Sequence, residues 1–168
     1  MRNIVLVGFM GTGKTSVAKA LADKLNIRYI STDDIIEKKE GAKIKNIFAE
    51  KGEGYFRKAE KEVILAVSSE EGAVIDAGGG AVIDPENVKN FKKNGILICL
   101  WAEPEIIFER TKLCAKRPLL EGPKPDETIR RLLSERKKFY ERADHHINTS
   151  KLLLADVVSE IENIVKNA

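Results

Sequence analysis

The sequence predicts an α/β fold, a parallel sheet with helices on both faces, and three observations predict it. Short apolar runs alternate with segments of helical periodicity along the chain. The run Ile4-Val5-Leu6-Val7 passes through Gly8-Phe9-Met10-Gly11-Thr12-Gly13-Lys14-Thr15 into the amphipathic stretch Val17 to Leu25, the strand, glycine-rich loop and helix of a phosphate-binding unit. Gly95 to Trp101 is a nearly unbroken apolar run, the composition of a strand covered on both faces.

The loop fits G-x-x-x-x-G-K-[ST] in the context that pattern needs. Its glycines let backbone N–H groups and the positive end of the helix dipole converge on phosphate oxygens. Lys14 adds a point charge toward the β and γ phosphates, and the Thr15 hydroxyl is a magnesium ligand. The expected ligand is a nucleoside triphosphate with Mg²⁺, held by Gly11, Thr12, Gly13, Lys14, Thr15 and Ser16.

Taken in order, Arg28-Tyr29-Ile30-Ser31 reads as a second strand ended by the polar cluster Thr32-Asp33-Asp34. Ile35, Ile36, Ile44, Ile47 and Phe48 fall at helical spacing around Gly41, a helix stop. A longer helix is expected from about Gly54 to Ser69, where Phe56, Val63, Ile64 and Val67 recur with a period near 3.6. Ala73 to Ala77 reads as a third strand running into Gly78-Gly79-Gly80, and Asp84-Pro85 caps the next helix. After the Gly95 to Trp101 strand, Glu103-Pro104 opens a helix. The stretch from about 112 to 125, with Lys116, Arg117 and Lys124 among Pro118, Gly122, Pro123 and Pro125, predicts a surface loop over a site, a lid. A helix from about Asp126 to Arg142, a strand around His146-Ile147-Asn148 and a helix from Leu154 to Val165 follow. In such a sheet, strand ends share one site, which selects Ser31 to Asp34 and Asp76 to Gly80.

The 168 residues suffice for one domain, 1–168, with one substantial core. The 29 basic residues are spread among 26 acidic ones, which argues against a nucleic-acid-binding surface. No apolar run reaches the roughly 20 residues of a membrane span, and the chain enters its first strand too early for a signal peptide. Cys99 and Cys114 have neither metal-ligand nor disulfide spacing. The expectation is a cytoplasmic protein, and a monomer, since no long exposed apolar helix stripe asks for a partner. Trp101 is expected to pack, and of His145-His146 one ring is expected to face inward.

Asp33, the run Ile47-Phe48-x-x-x-Gly52-Glu53-x-x-Phe56-Arg57-x-x-Glu60, Gly78 to Gly80, Arg117-Pro118-Leu119-Leu120, and Arg136 with Tyr140 together resemble shikimate kinase over essentially the whole chain. The resemblance implies a relative of the nucleoside monophosphate kinases, a three-layer P-loop kinase fold with a five-stranded parallel sheet. Lid (about 112–125) and shikimate-binding (about 32–60) parts go with it. It implies transfer of the γ-phosphoryl group of ATP to the 3-hydroxyl of shikimate. On that reading Arg57 and Arg136 clamp the substrate carboxylate, and Glu60 holds Arg57 in its rotamer. Asp33 receives the hydroxyl proton, Gly79 and Gly80 offer backbone N–H groups, and Arg117 reaches the transferring phosphoryl. Arg110 and the loop from Asn148 to Leu153 flank adenine. Lys14, Asp33 and Arg117 are the expected catalytic residues.

One departure stands out. The family usually carries Asp-x-Asp at the end of the second strand, where this chain has Ser31-Thr32-Asp33, and Asp76 stands where the family often has Ser or Thr. An acid after apolar residues at a strand end resembles the magnesium-holding acid of other phosphate-loop enzymes. The expectation is that Ser31 and Asp76 have exchanged roles, with Thr15 and Asp76 holding the metal. The alternative is that Asp76 caps a local turn. A kinase for another polyol acid, such as gluconate, and a nucleotide-binding module without chemistry are the competing readings.

Overall fold

The computed structural model describes residues 1–112 and 124–168. Its strands are β1 (Asn3–Val7), β2 (Arg28–Ser31), β3 (Ala73–Asp76), β4 (Gly95–Trp101) and β5 (His145–Asn148). The helices are α1 (Lys14–Leu25), α2 (Thr32–Glu40), α3 (Ile44–Ser68), α4 (Pro85–Asn94), α5 (Pro104–Lys112), α6 (Pro125–Tyr140) and α7 (Leu154–Lys166), with a 3₁₀ turn at Ala81–Ile83. All pairings are parallel, in the order β2-β3-β1-β4-β5, so the expected five-stranded sheet is present.

Two-residue alternation divides the core. Val5 and Val7 of β1 face Ile64 and Val67 of α3 and Phe91 of α4, in one apolar cluster. Ile4 and Leu6 face Val17 and Leu21 of α1 and Val158 and Ile161 of α7, in the other. Both sets are buried because β1 lies at the centre with helices on each side. Parallel register then sets the strand ends side by side: Leu6 pairs with Asp76, and Asp76 with Ser31.

The polar cluster Thr32-Asp33-Asp34 ends β2 as expected and forms the first turn of α2, where the Ser31 hydroxyl accepts from the Asp34 N–H at 3.1 Å and two acids meet the positive helix end. The helix expected from about Gly54 is the second part of α3, separated from its first part, which carries Ile44, Ile47 and Phe48, by Gly52, whose φ of 80° and ψ of 170° leave the helical region. Trp101 does not pack in the core: it is the last residue of β4 and 40% exposed, beyond the helical cover. Nor does either histidine ring enter the core. His146 is exposed with Nε2 3.0 Å from the Tyr140 carbonyl, and Ile147 takes the buried position in β5.

The turn out of β1 depends on Gly8, which has a φ of 139° and passes so close to β4 that a Cβ there would overlap the Leu100 carbonyl. Gly8→Ala should therefore cost about 3 kcal/mol, from backbone strain and steric overlap together. A urea unfolding midpoint equal to wild type would show that the turn relaxes freely.

Candidate functional site

The carboxyl ends of the central strands open into a cavity of about 670 Å³. One wall is the phosphate loop, with Gly11, Gly13, Lys14, Thr15 and Ser16. The loop is pinned from behind. The Thr12 hydroxyl donates to the Phe9 carbonyl at 2.8 Å, so its side chain is buried rather than turned to the cavity. The Thr149 hydroxyl donates to the Thr12 carbonyl at 3.0 Å. Arg110 donates to Gly11 O at 3.2 Å and Thr149 O at 2.7 Å, tying α5 and the segment after β5 to the loop. Arg110 also lines the cavity.

At the foot of α1 the Thr15 hydroxyl donates to Asp76 Oδ2 at 2.6 Å. Its lone pairs stay available, so Thr15 and Asp76 present the hard oxygen donors that a magnesium ion takes in small number beside phosphate and water. Tyr29 donates to the same carboxylate oxygen at 3.3 Å. Burial first, and the Asp76 charge second, push its phenol up to about 12. Ser31 spends its hydroxyl on the α2 cap, while Asp76 lies one strand over at the same register.

The opposite wall carries Phe56, Arg57, Glu60, Gly78, Gly79, Gly80 and Arg136. Arg57 donates to Glu60 Oε2 at 2.7 Å. Its guanidinium lies so near Gly80 that any Cβ there would overlap it. Arg136 sits with its guanidinium 5.6 Å above the Phe9 ring, in cation–π range. The buried Tyr140 donates to the Gly79 carbonyl at 2.8 Å, and Arg142 donates to Val82 O and Ile83 O at 2.9 and 3.0 Å, so α6 fixes the glycine segment.

Asp33 lies between the walls. Its Oδ1 is buried with no hydrogen-bond partner among the described residues, as is Oε1 of Glu60. A Cβ on Gly78 would meet both oxygens, at 2.9 and 3.1 Å, so the residue there must be small. Burial, with the Asp76 charge second and Lys14 opposing, pushes Asp33 up to about 6. Burial likewise raises Glu60 against the pull of Arg57.

Thus Gly11, Gly13, Lys14, Thr15, Ser16, Asp33, Arg57, Asp76, Gly79, Gly80, Arg110 and Arg136 line one cavity, and Thr12 stands behind it. Arg117, Cys114 and the interior of the expected lid lie outside the described residues. Sequence reasoning missed Tyr29, and it held Thr149 only as part of the loop from Asn148 to Leu153, without its bond to the phosphate loop. Neither belongs to a motif, and each acquires its partner only through strand pairing or loop approach.

The family model described as shikimate kinase matches residues 10–166. A shikimate kinase of Thermodesulfovibrio yellowstonii is 45% identical over 161 residues, 96% of this chain and 93% of the relative. One from Persephonella marina is 47% identical over 161 residues, 96% and 97% of the two chains. The solved shikimate kinase from Acinetobacter baumannii in complex with shikimate superposes with a TM-score of 0.93 at 35% identity, covering 99% of this chain and 94% of that one.

The displaced proton affinity of Asp33 has a cost. Between its ordinary value near 3.8 and about 6 the folded chain binds a proton that the unfolded chain has released, so this group's contribution to stability falls as pH rises through that window. Asp33→Asn removes the charged form. It should exceed wild type in stability by about 1–2 kcal/mol at pH 7.5, with no such gain at pH 4, discounting the full shift for Asp33's partial exposure. Urea unfolding at the two pH values measures this, and a pH-independent difference would refute it.

Proposed function

The chain belongs to the shikimate kinase family, and from this premise we propose that it transfers the γ-phosphoryl group of ATP to the 3-hydroxyl of shikimate, giving 3-phosphoshikimate and ADP. The observation that carries the residue roles is the single cavity in which a phosphate loop faces an arginine-lined, glycine-floored wall, with a carboxylate between them.

Shikimate has one carboxylate and three hydroxyls. Arg57, steadied by Glu60, and Arg136 bind the carboxylate. Gly79 and Gly80 approach the ring closely and offer N–H groups. Asp33 accepts a hydrogen bond from the 3-hydroxyl and takes its proton as that oxygen bonds to the γ phosphorus and the bridge to the β phosphate breaks. A carboxylate raised to about 6 is a better proton acceptor than an ordinary one and is still ionised at neutral pH. Lys14 lies against the β and γ phosphates, Arg117 reaches the transferring group from the lid at about 112–125, and Arg110 borders adenine. Gly11, Thr12, Gly13 and Ser16 bind the phosphates through the loop. Magnesium, when bound, draws charge from the phosphate oxygens; Thr15 and Asp76 are the residues that would hold it.

The reading extends to a single domain with its acceptor-binding part at about 32–60, working as a cytoplasmic monomer without nucleic-acid or membrane partners. The even mixture of 29 basic and 26 acidic residues supports it. Among the described residues no helix is long and apolar enough to cross a membrane.

The test is ADP release from ATP and Mg²⁺ with shikimate, with gluconate and with no acceptor. Shikimate alone should stimulate release, and Asp33→Ala should lower the stimulated rate by about 10²- to 10⁴-fold, the usual worth of a positioned acid or base. Stimulation by gluconate would overturn the acceptor, and nucleotide binding without turnover would favour the binding-module reading.

A further inference from the structure

Asp76 stands on β3 at a position where the resemblance leads one to expect a hydroxyl, and its surroundings differ accordingly. In the parallel pairing of β2 with β3, Tyr29 is level with Val74 and Ser31 with Asp76. Side chains two apart on a strand share a face, so Tyr29, Ser31, Val74 and Asp76 all project to the side of the sheet that α1 covers. A tyrosine is long enough to cross the diagonal from position 29 to position 76. The Tyr29 ring packs against the apolar cluster under α1, with the Lys19 ammonium 5.5 Å from its centroid. Its hydroxyl ends 3.3 Å from Asp76 Oδ2.

The Thr15 hydroxyl donates to that same oxygen at 2.6 Å. Two hydroxyls, one from α1 and one from β2, therefore converge on Oδ2. Ser31, at the position where the family's acid usually stands, also interacts through its hydroxyl with the Tyr29 phenol. Tyr29 lines the cavity beside Thr15 and Asp76. A phenylalanine would pack against α1 equally well, so packing alone leaves the hydroxyl at 29 unexplained.

We propose that Tyr29 is a positioning residue of the divalent-cation site: with Thr15 it fixes Oδ2 of Asp76, so that Oδ1 is kept for the cation or its water. The inference rests on the assignment of Asp76 to magnesium made above. Tyr29 touches neither substrate nor reacting atoms. It acts by restricting the Asp76 carboxylate, which has rotational freedom that an acid clamped by one hydroxyl would retain. The acid on β3 thereby gains from β2 a support that the β2 residue in line with it, Ser31, gives only indirectly.

The experiment compares wild type, Tyr29→Phe, Asp76→Asn and the double variant. Binding of Mn²⁺ in the presence of ADP, followed by electron paramagnetic resonance, reads the site without turnover. Steady-state kinetics then give the apparent KM values for Mg²⁺ and for shikimate. Tyr29→Phe should weaken Mn²⁺ binding and raise the KM for Mg²⁺ about three- to tenfold, the net worth of one ordinary hydrogen bond, since at 3.3 Å this one is long for a bond to a carboxylate. The KM for shikimate should stay at the wild-type value, and saturating Mg²⁺ should restore kcat. A merely structural role would move all constants together. Asp76→Asn should weaken Mn²⁺ binding more than tenfold, and adding Tyr29→Phe to it should cost nothing further, because the two act through one carboxylate. Wild-type Mn²⁺ binding in Tyr29→Phe alongside weak binding in Asp76→Asn would overturn the role of Tyr29 and leave that of Asp76 intact. Unchanged binding in Asp76→Asn would overturn both.

Discussion

Burial of β1 on both faces is the constraint from which the rest of the molecule follows. A strand with Ile4, Val5, Leu6 and Val7 all inaccessible needs helices above and below and strands on either side. Parallel pairing satisfies this with right-handed crossovers through helices, and it brings the strand ends to one edge. At that edge β1 has neighbours β3 and β4 on opposite sides. The loop after β1 therefore enters a crevice whose walls come from distant parts of the chain. Gly8 passes the Leu100 carbonyl there because no side chain intervenes.

The crevice gathers charge that a stable core would avoid. Asp33, Glu60 and Asp76 stand near one another, and two buried carboxylate oxygens, Asp33 Oδ1 and Glu60 Oε1, have no hydrogen-bond partner among the described residues. Leaving a buried acceptor unmade costs on the order of 1–3 kcal/mol. Such a cost is tolerable where a ligand hydroxyl or a proton completes the arrangement, and the raised affinity of Asp33 for a proton is the same fact seen in titration. Glu60 is partly compensated by Arg57, and Asp76 by two hydroxyls. For Asp33 the Lys14 charge opposes the effect of burial without overcoming it.

The strands were legible because buried parallel strands are apolar runs, and Ala73 to Asp76 and Gly95 to Trp101 needed no tertiary information. Thr32-Asp33-Asp34 marked the end of β2 without showing that α2 starts at once, because the residues that terminate strands are those that begin helices: the same acids favour a turn and complement a helix dipole. The two parts of α3 on either side of Gly52 were legible because each carries its own apolar spacing, Ile44, Ile47 and Phe48 before it and Phe56, Val63, Ile64 and Val67 after it. The expectations for Trp101 and the histidine pair failed, since composition does not say where helical cover ends. The motif residues of the site were legible as a set, while Tyr29 was not and Thr149 was legible only as a member of the loop from Asn148 to Leu153. Their partners, Asp76 and the backbone of Thr12, are 47 and 137 positions away, and only sheet order and loop approach bring them together.

That same sheet order explains how a metal-directed acid could stand on β3 instead of β2. Ser31 and Asp76 are paired residues of adjacent parallel strands, with side chains on the same face, about 5 Å apart across the ladder. Moving the carboxylate between them keeps it at the same level along the strands and on the side facing α1. It also brings the acid nearer the sheet centre, within direct reach of the Thr15 hydroxyl. The vacated place on β2 then favours a small polar residue able to start α2, a task Ser31 performs by accepting from the Asp34 N–H. An acid at position 31 could cap that helix too, but beside Asp76, Asp33 and Asp34 it would add a further negative charge to a crowded edge. On the proposed assignment of Asp76 to magnesium, serine at 31 and aspartate at 76 form a single arrangement, each suited to the other's place in the pairing.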